Sequence, residues 1–146
     1  MKMVSRMMIF CMTIVAVGCG GRMPEDIGVS QGKLAPCPAK PNCVSSFAED
    51  VDHQIASLTI TGNPVAAWKK LRSLIEADGS AEIVNASDDY MHAVYTSTIM
   101  RYRDDVEFVL RAADGEIAVR SASRVGYGDM GVNRGRVDAI RDQLAQ

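Results

Sequence analysis

Met7 to Val17 is an almost unbroken apolar run, preceded by the positive residues Lys2 and Arg6. It is too short for a helix across a bilayer core of about 30 Å, which takes roughly 20 residues, and it fits the apolar part of an export signal. Gly20 to about Lys33 follows as a polar, glycine-containing stretch without apolar period, read as a flexible tether with a reach of about 20 Å. Gln54 to Thr61 then places Ala56, Leu58 and Ile60 on one side of a strand. Asn63 is a candidate N-cap and Pro64 a first helical residue, after which Val65, Trp68, Leu71 and Ile75 recur at helical spacing up to a stop at Gly79. Trp68 reads as core filling. Further strands are predicted at Ala81–Ala86, Tyr90–Ile99, Asp105–Ala112 and Glu116–Ser123, with Val106, Phe108 and Leu110 pointing inward. A last helix from about Arg134 to Ala145 presents Val137, Ile140 and Leu144. The pattern β-α-β-β-β-β-α predicts an α+β fold, a small antiparallel sheet of about five strands with two helices packed on one face.

Asp114-Gly115 is a two-residue hairpin signal, and it sets an expected register. With those two residues at the turn, Arg124 faces Asp105, Ser121 faces Phe108 and Ser123 faces Val106. Arg120 lies diagonal to Glu107, within reach of a long side chain. Ser121 and Ser123 continue the inward face of Ile117 and Val119, so their hydroxyls need partners.

The chain has 146 residues, 47% hydrophobic and 23% charged. That is one domain's worth of chain and excludes a disordered or collagen-like one. Removing Lys2 and Arg6 with the signal leaves fourteen positive residues against eighteen negative ones, a net charge of −4. A mildly acidic body has no electrostatic footprint for nucleic acid, so none is expected as a partner.

Ala16-Val17-Gly18-Cys19 resembles a bacterial lipobox, in which the cysteine becomes the lipidated first residue of the mature protein. The reading divides the chain into a signal peptide at 1–18, a lipidated N-terminus and tether at 19–33, and one domain at 34–146. The expected membrane partner is reached through the anchor, since several acyl chains are needed for stable attachment. Gly20 in place of Asp resembles the pattern sorted to the outer membrane, which gives a periplasm-facing location. Cys37 and Cys43, six apart in a proline-rich loop, most simply form a structural disulfide in an oxidising compartment. A redox site spaces its cysteines as Cys-x-x-Cys, and a zinc site needs two more ligands that neither His53 nor His92 obviously offers. No metal and no cofactor are expected.

Arg120 to Arg136 departs from the structural logic of the rest, with arginines, serines and glycines gathered around the start of the last helix. Asn133 is the expected N-cap, Val132 and Val137 a hydrophobic staple, and Arg134 and Arg136 sit in the first turn against the helix dipole. Two readings follow. In one, Ser121, Ser123, Arg124, Asn133, Arg134 and Arg136 bind an anionic envelope ligand. In the other, Asp104, Asp105, Asp129 and Asp138 neutralise the same arginines, the segment is architectural, and the partner is an envelope protein bound elsewhere. A third, thinner reading makes Ser121 or Ser123 the nucleophile of a hydrolase with Asp129 as base. No nucleophile elbow, phosphate loop or dinucleotide fingerprint supports a catalytic assignment.

Pro36-Cys37-Pro38, Pro41-Asn42-Cys43-Val44-Ser45-Ser46, Asp104-Asp105-Val106-Glu107-Phe108, Arg120 to Gly126, Asp129, Gly131 to Arg134 and Arg136-Val137 together resemble the family called domain of unknown function 1499. The resemblance covers about residues 34–146. It departs at Tyr102-Arg103, where the family pattern has a Phe-Pro-like pair. It implies a small envelope protein, with relatives in chloroplasts, and no established activity.

Overall fold

The structure, a computed structural model, describes residues 20–146; the predicted signal at 1–18 and Cys19 lie outside the described residues. Eight strands and two helices follow one another: β1 (Val29–Ser30), β2 (Lys33–Leu34), β3 (Cys43–Ser45), β4 (Leu58–Thr59), α1 (Pro64–Ala77), β5 (Ala81–Ala86), β6 (Tyr90–Thr96), β7 (Arg103–Arg111), β8 (Glu116–Ser123) and α2 (Val132–Ala145). The fold is α+β. Its antiparallel main sheet has six strands in the order β3-β8-β7-β6-β5, with β4 also paired to β8.

Helix α1 begins as its sequence dictates, with the Asn63 side chain accepting from the Ala66 amide and Pro64 in the first turn. Trp68, Leu71 and Ile75 are buried while Val65 is exposed. Three-residue steps advance only about 300° around a helix, which leaves Val65 to one side of the apolar stripe. Gly79 does not cap α1. The helix ends on Asp78, whose amide bonds back to the Ile75 carbonyl and whose carboxylate accepts from the amide and hydroxyl of Ser80. Trp68, Leu71 and Ile75 pack with Val137 and Ile140 of α2 against Met91, Ala93, Val106, Phe108, Ile117 and Val119 of the sheet.

Several expectations are corrected. The predicted strand over Gln54–Thr61 shrinks to Leu58–Thr59, because a parallel bridge between Ser45 and Gln54 holds the preceding backbone and turns Ile55, not Ala56, into the core. The rigid cysteine loop feeds an extra edge strand, with Cys43 opposite Ala122 and Ser45 opposite Arg120. Strand β6 stops at Thr96, short of Ile99.

The β7–β8 connection is longer than Asp114-Gly115 suggests. Ala112–Asp114 form one 3-10 turn and Gly115 closes it at φ 68°. Asp105 then pairs with Ala122, Val106 with Ser121 and Glu107 with Arg120. The register is therefore displaced by two residues from the expected one. Because side chains alternate with period two, such a slip preserves every face assignment and changes only the opposite partner.

The largest correction concerns the tether. Val29–Ser30 and Lys33–Leu34 form a small hairpin of their own, and the segment lies on the sheet face opposite the helices. Leu34 packs there with Val109 and Ala118, flanked by Phe47 and Tyr90. The Gly28 amide donates to Glu107 at 2.7 Å, and Asp26 lies 3.5 Å from Arg120. An antiparallel sheet with helices on one face normally leaves the other to water. Here a strap of chain covers it.

Candidate functional site

Strand alternation splits the acidic run Asp104-Asp105-Val106-Glu107 between the two faces of β7. Asp104 points to the helices, Asp105 and Glu107 to the strap. All three are buried, as are Arg120, Ser121 and Asn133. Two separate networks result, one on each side of the sheet.

On the helix side Asn133 is the hub, fully buried inside the first turn of α2 instead of capping it. Its Oδ1 accepts from the Ser121 hydroxyl at 2.6 Å and from Arg136 Nη1 at 2.8 Å. Its Nδ2 donates to the Asn42 carbonyl at 3.1 Å, the Ser123 hydroxyl at 2.9 Å and Asp129 at 2.8 Å. Gly131 takes the N-cap position in a left-handed conformation, φ 81°, and Asp129 supplies the missing acceptors. Its carboxylate takes the amides of Gly131 and Asn133 at 2.9 and 2.8 Å. Burial pushes the Asp129 carboxyl up, but these amides and the Asn133 side chain outweigh it and hold the group below its usual value. The predicted staple is absent, since Val132 is exposed while Val137 is buried. Arg136 completes the network. It donates to Asp104 at 2.6 Å and Ser121 at 2.9 Å, and its guanidinium lies 4.6 Å over the Tyr95 ring. The Tyr95 phenol is pushed up to about 12 by burial, with Asp78 adding to the shift and Arg136 opposing it.

On the strap side Arg124 forms a two-point pair with Asp105, Nε and Nη2 each 2.8 Å from a carboxylate oxygen. His92 Nε2 lies 2.8 Å from the same carboxylate. Burial pushes Asp105 up, yet the His92 and Arg124 hydrogen bonds prevail and keep its carboxyl below the usual range. One strand position along, Glu107 accepts from Arg120 at 3.1 Å, the Tyr90 hydroxyl at 2.8 Å and the Gly28 amide. Burial, reinforced by Glu107, drives the Tyr90 phenol far upward, so it acts as a donor. Arg120 Nε is buried without a partner.

The six arginine-segment residues thus fall into three places. Ser121, Ser123, Asn133 and Arg136 meet on the helix side, Arg124 joins the strap side, and Arg134 lies apart, donating to the carbonyls of Gln54 and Asp52 at 2.9 and 3.1 Å. The expected arginine–carboxylate pairs involving Arg124 and Arg120 both form. Asp138 pairs instead with Arg141. Ser121 is bonded to an amide and a guanidinium, and the only base-like imidazole nearby in the chain's strands, His92, sits across the sheet on Asp105. That arrangement does not activate a nucleophile. Among the described residues no group of three or more His, Cys, Asp or Glu side chains could hold a metal ion. A groove of about 460 Å³ runs between α1, α2 and the end of β6, and both Arg136 and Asp104 reach it, with Asp78 alongside.

One hub residue was missed from sequence. Asn42 is buried, its Nδ2 donating to the carbonyls of Ser123 and Gly126 at 3.3 and 3.1 Å. Its signal was its place beside Cys43, which is bonded to Cys37 with Cα atoms 5.6 Å apart. That disulfide fixes the loop that delivers Asn42 to the network.

No curated protein matches the chain. A family model, Protein of unknown function (DUF1499), matches residues 33–144. That span contains Asn42, the acidic run of β7, the β8 arginines and the Asp129–Arg136 turn, and the chain belongs to this family.

Proposed function

We propose that this protein is a lipid-anchored module of the cell envelope that binds or scaffolds without catalysis, and that its arginine segment is the frame of the domain. Ala16-Val17-Gly18-Cys19 supports the anchor, and the Cys37–Cys43 disulfide suits an exported, periplasm-facing domain. Gly20 favours the outer membrane. The observation that carries the architectural reading is the internal pairing of Arg120, Arg124 and Arg136, each matched by its own carboxylate on β7. A buried guanidinium already held by two or more acceptors offers little to an incoming anion. The groove reached by Arg136 also presents Asp104 and Asp78, which repel one.

Two measurements test this. Labelling cells with palmitate should mark the wild-type chain and not Cys19→Ser. In thermal melts of the chain from Gly20 onward, Arg136→Ala should lose about 2 kcal/mol, less than the roughly 3–5 kcal/mol of a fully buried pair because Arg136 and Asp104 both reach the groove. Arg134→Ala, whose contacts are exposed carbonyls, should lose less than about 1 kcal/mol. Phosphate and sulfate should leave the melting temperature of the parent unchanged. An anion-induced rise that disappears in an equally stable Arg134→Ala/Arg136→Ala variant overturns the architectural reading in favour of anion binding.

A further inference from the structure

Strand β6 ends at Thr96, β7 begins at Arg103 and β8 ends at Ser123, opposite Asp104. The connections 97–102 and 124–131 therefore leave the same end of the sheet, joined by a hydrogen bond from the Arg124 amide to the Arg103 carbonyl. The chain also enters here. A Cβ built on Gly20 would lie 3.0 Å from Arg103, and one on Gly21 would lie 2.9 Å from Arg124. Gly20 directly follows Cys19, so a lipid on that cysteine joins the domain at this end with no spacer. The strap removes the slack as well, because residues 26–34 are fixed to the sheet by Gly28, Asp26 and Leu34.

This end is also where the exposed apolar surface gathers. Ile99 is 88% exposed and Met130 fully exposed, with Met100, Tyr102, Tyr127 and Met23 beside them in the same connections and entry segment. Elsewhere among the described residues, the exposed large apolar side chains are the valines Val29, Val51, Val65 and Val84, and Val132 at the start of α2 beside this end; single exposed valines need no explanation. Arg22, Arg101 and Arg103 are exposed at the apolar end and have no carboxylate partner among the described residues. The one acidic residue of these connections, Asp129, is engaged in capping α2.

We infer that this end of the domain is a bilayer-apposed face: Ile99, Met100, Tyr102, Tyr127 and Met130 enter the lipid interface, and Arg22, Arg101 and Arg103 meet lipid phosphates. The inference rests on the lipid-anchor reading and adds to it an orientation. Apolar loop tips flanked by arginines and tyrosines suit the headgroup layer, where buried apolar area and attraction to anionic lipid act together. A face too weak to hold a free protein suffices once the anchor supplies a high local concentration.

The test uses the full chain, processed in a bacterium and reconstituted into phosphatidylethanolamine–phosphatidylglycerol vesicles with or without brominated acyl chains. Met100→Trp and Met130→Trp report on the face, Ala113→Trp on the β7–β8 turn at the opposite end, and buried Trp68 is the common background. The emission added by the first two should fall about twofold or more with brominated lipid, since interfacial side chains reach about 5–10 Å into the headgroup–acyl boundary. That of Ala113→Trp should not change. Equal emission of all three in both vesicles, or quenching of Ala113→Trp alone, overturns the inference while leaving the anchor intact. A chain that fails to associate with the vesicles overturns both.

Discussion

Asn133 concentrates the residue-scale logic of this protein. Five polar partners converge on one buried amide, three acceptors sharing its two N–H groups and two donors meeting its oxygen. The amide is used as an amide, because only that group presents donors and an acceptor from one planar fork. Asn133→Ala should cost about 3 kcal/mol or more in denaturant melts, as each buried group left without a partner costs roughly 1–3 kcal/mol. Asn133→Asp should cost at least as much at neutral pH. It keeps the shape but turns a carboxylate oxygen toward Asp129, 2.8 Å from the present nitrogen. A melt showing the aspartate variant as stable as the parent would refute the hub role. Asp105 illustrates the same economy on the other face, one carboxylate serving His92 and two of the three guanidinium nitrogens of Arg124.

At the scale of elements, β7 and the N-terminal strap depend on one another. Strand β7 carries Asp105 and Glu107 on a face that would be wet without a cover, and the strap supplies both the cover and an amide for Glu107. A hydrogen bond to a buried charge is worth about 1.5–3 kcal/mol. A chain beginning at Leu34 should therefore unfold at lower denaturant than one beginning at Gly20, by at least that amount. Hydrogen exchange should show β7 and β8 amides losing protection. If the two chains melt together, the strap is a passive tether after all. The same interdependence explains why the segment reads as a linker from sequence. Its polar composition lacks apolar period because most of it covers salt bridges, and only Leu34 at its end packs on an apolar cluster.

For the whole molecule, the paired carboxylates set the response to acid. Asp105 and Asp129 are both held below their ordinary value of 3.8. A carboxyl with a depressed folded-state pKa stabilises fully above its unfolded value and loses that contribution as pH falls through the folded one. The contribution of these two carboxyls should therefore be constant from neutrality down to about pH 4 and then decline. In Asp105→Asn, less stable at pH 7 because Arg124 loses its charge partner, the decline should be shallower. Urea midpoints measured from pH 2 to 7 check this, and an unchanged acid limb in the variant would remove Asp105 from the account. Among the described residues no helix is long and apolar enough to cross a membrane.

Features that depend on neighbours along the chain were legible before the fold. Helix α1 was legible because Asn63-Pro64 and the Trp68–Leu71–Ile75 spacing are local signals, and β7 because its alternation is clean. The arginine–carboxylate pairing was legible too, since strand parity survives the two-residue error in register. The tertiary structure alone decided what depends on residues far apart. It placed Asn42 next to Asn133, moved Asn133 from cap to core, made Asp129 the cap, and divided neighbouring aspartates between opposite faces. It also folded residues 20–34 over the sheet. The physical reason is the same in each case. Local periodicity fixes which way a side chain points, but a buried polar group is defined by the partner that satisfies it, and such a partner can lie 91 residues away, as Asn42 does from Asn133.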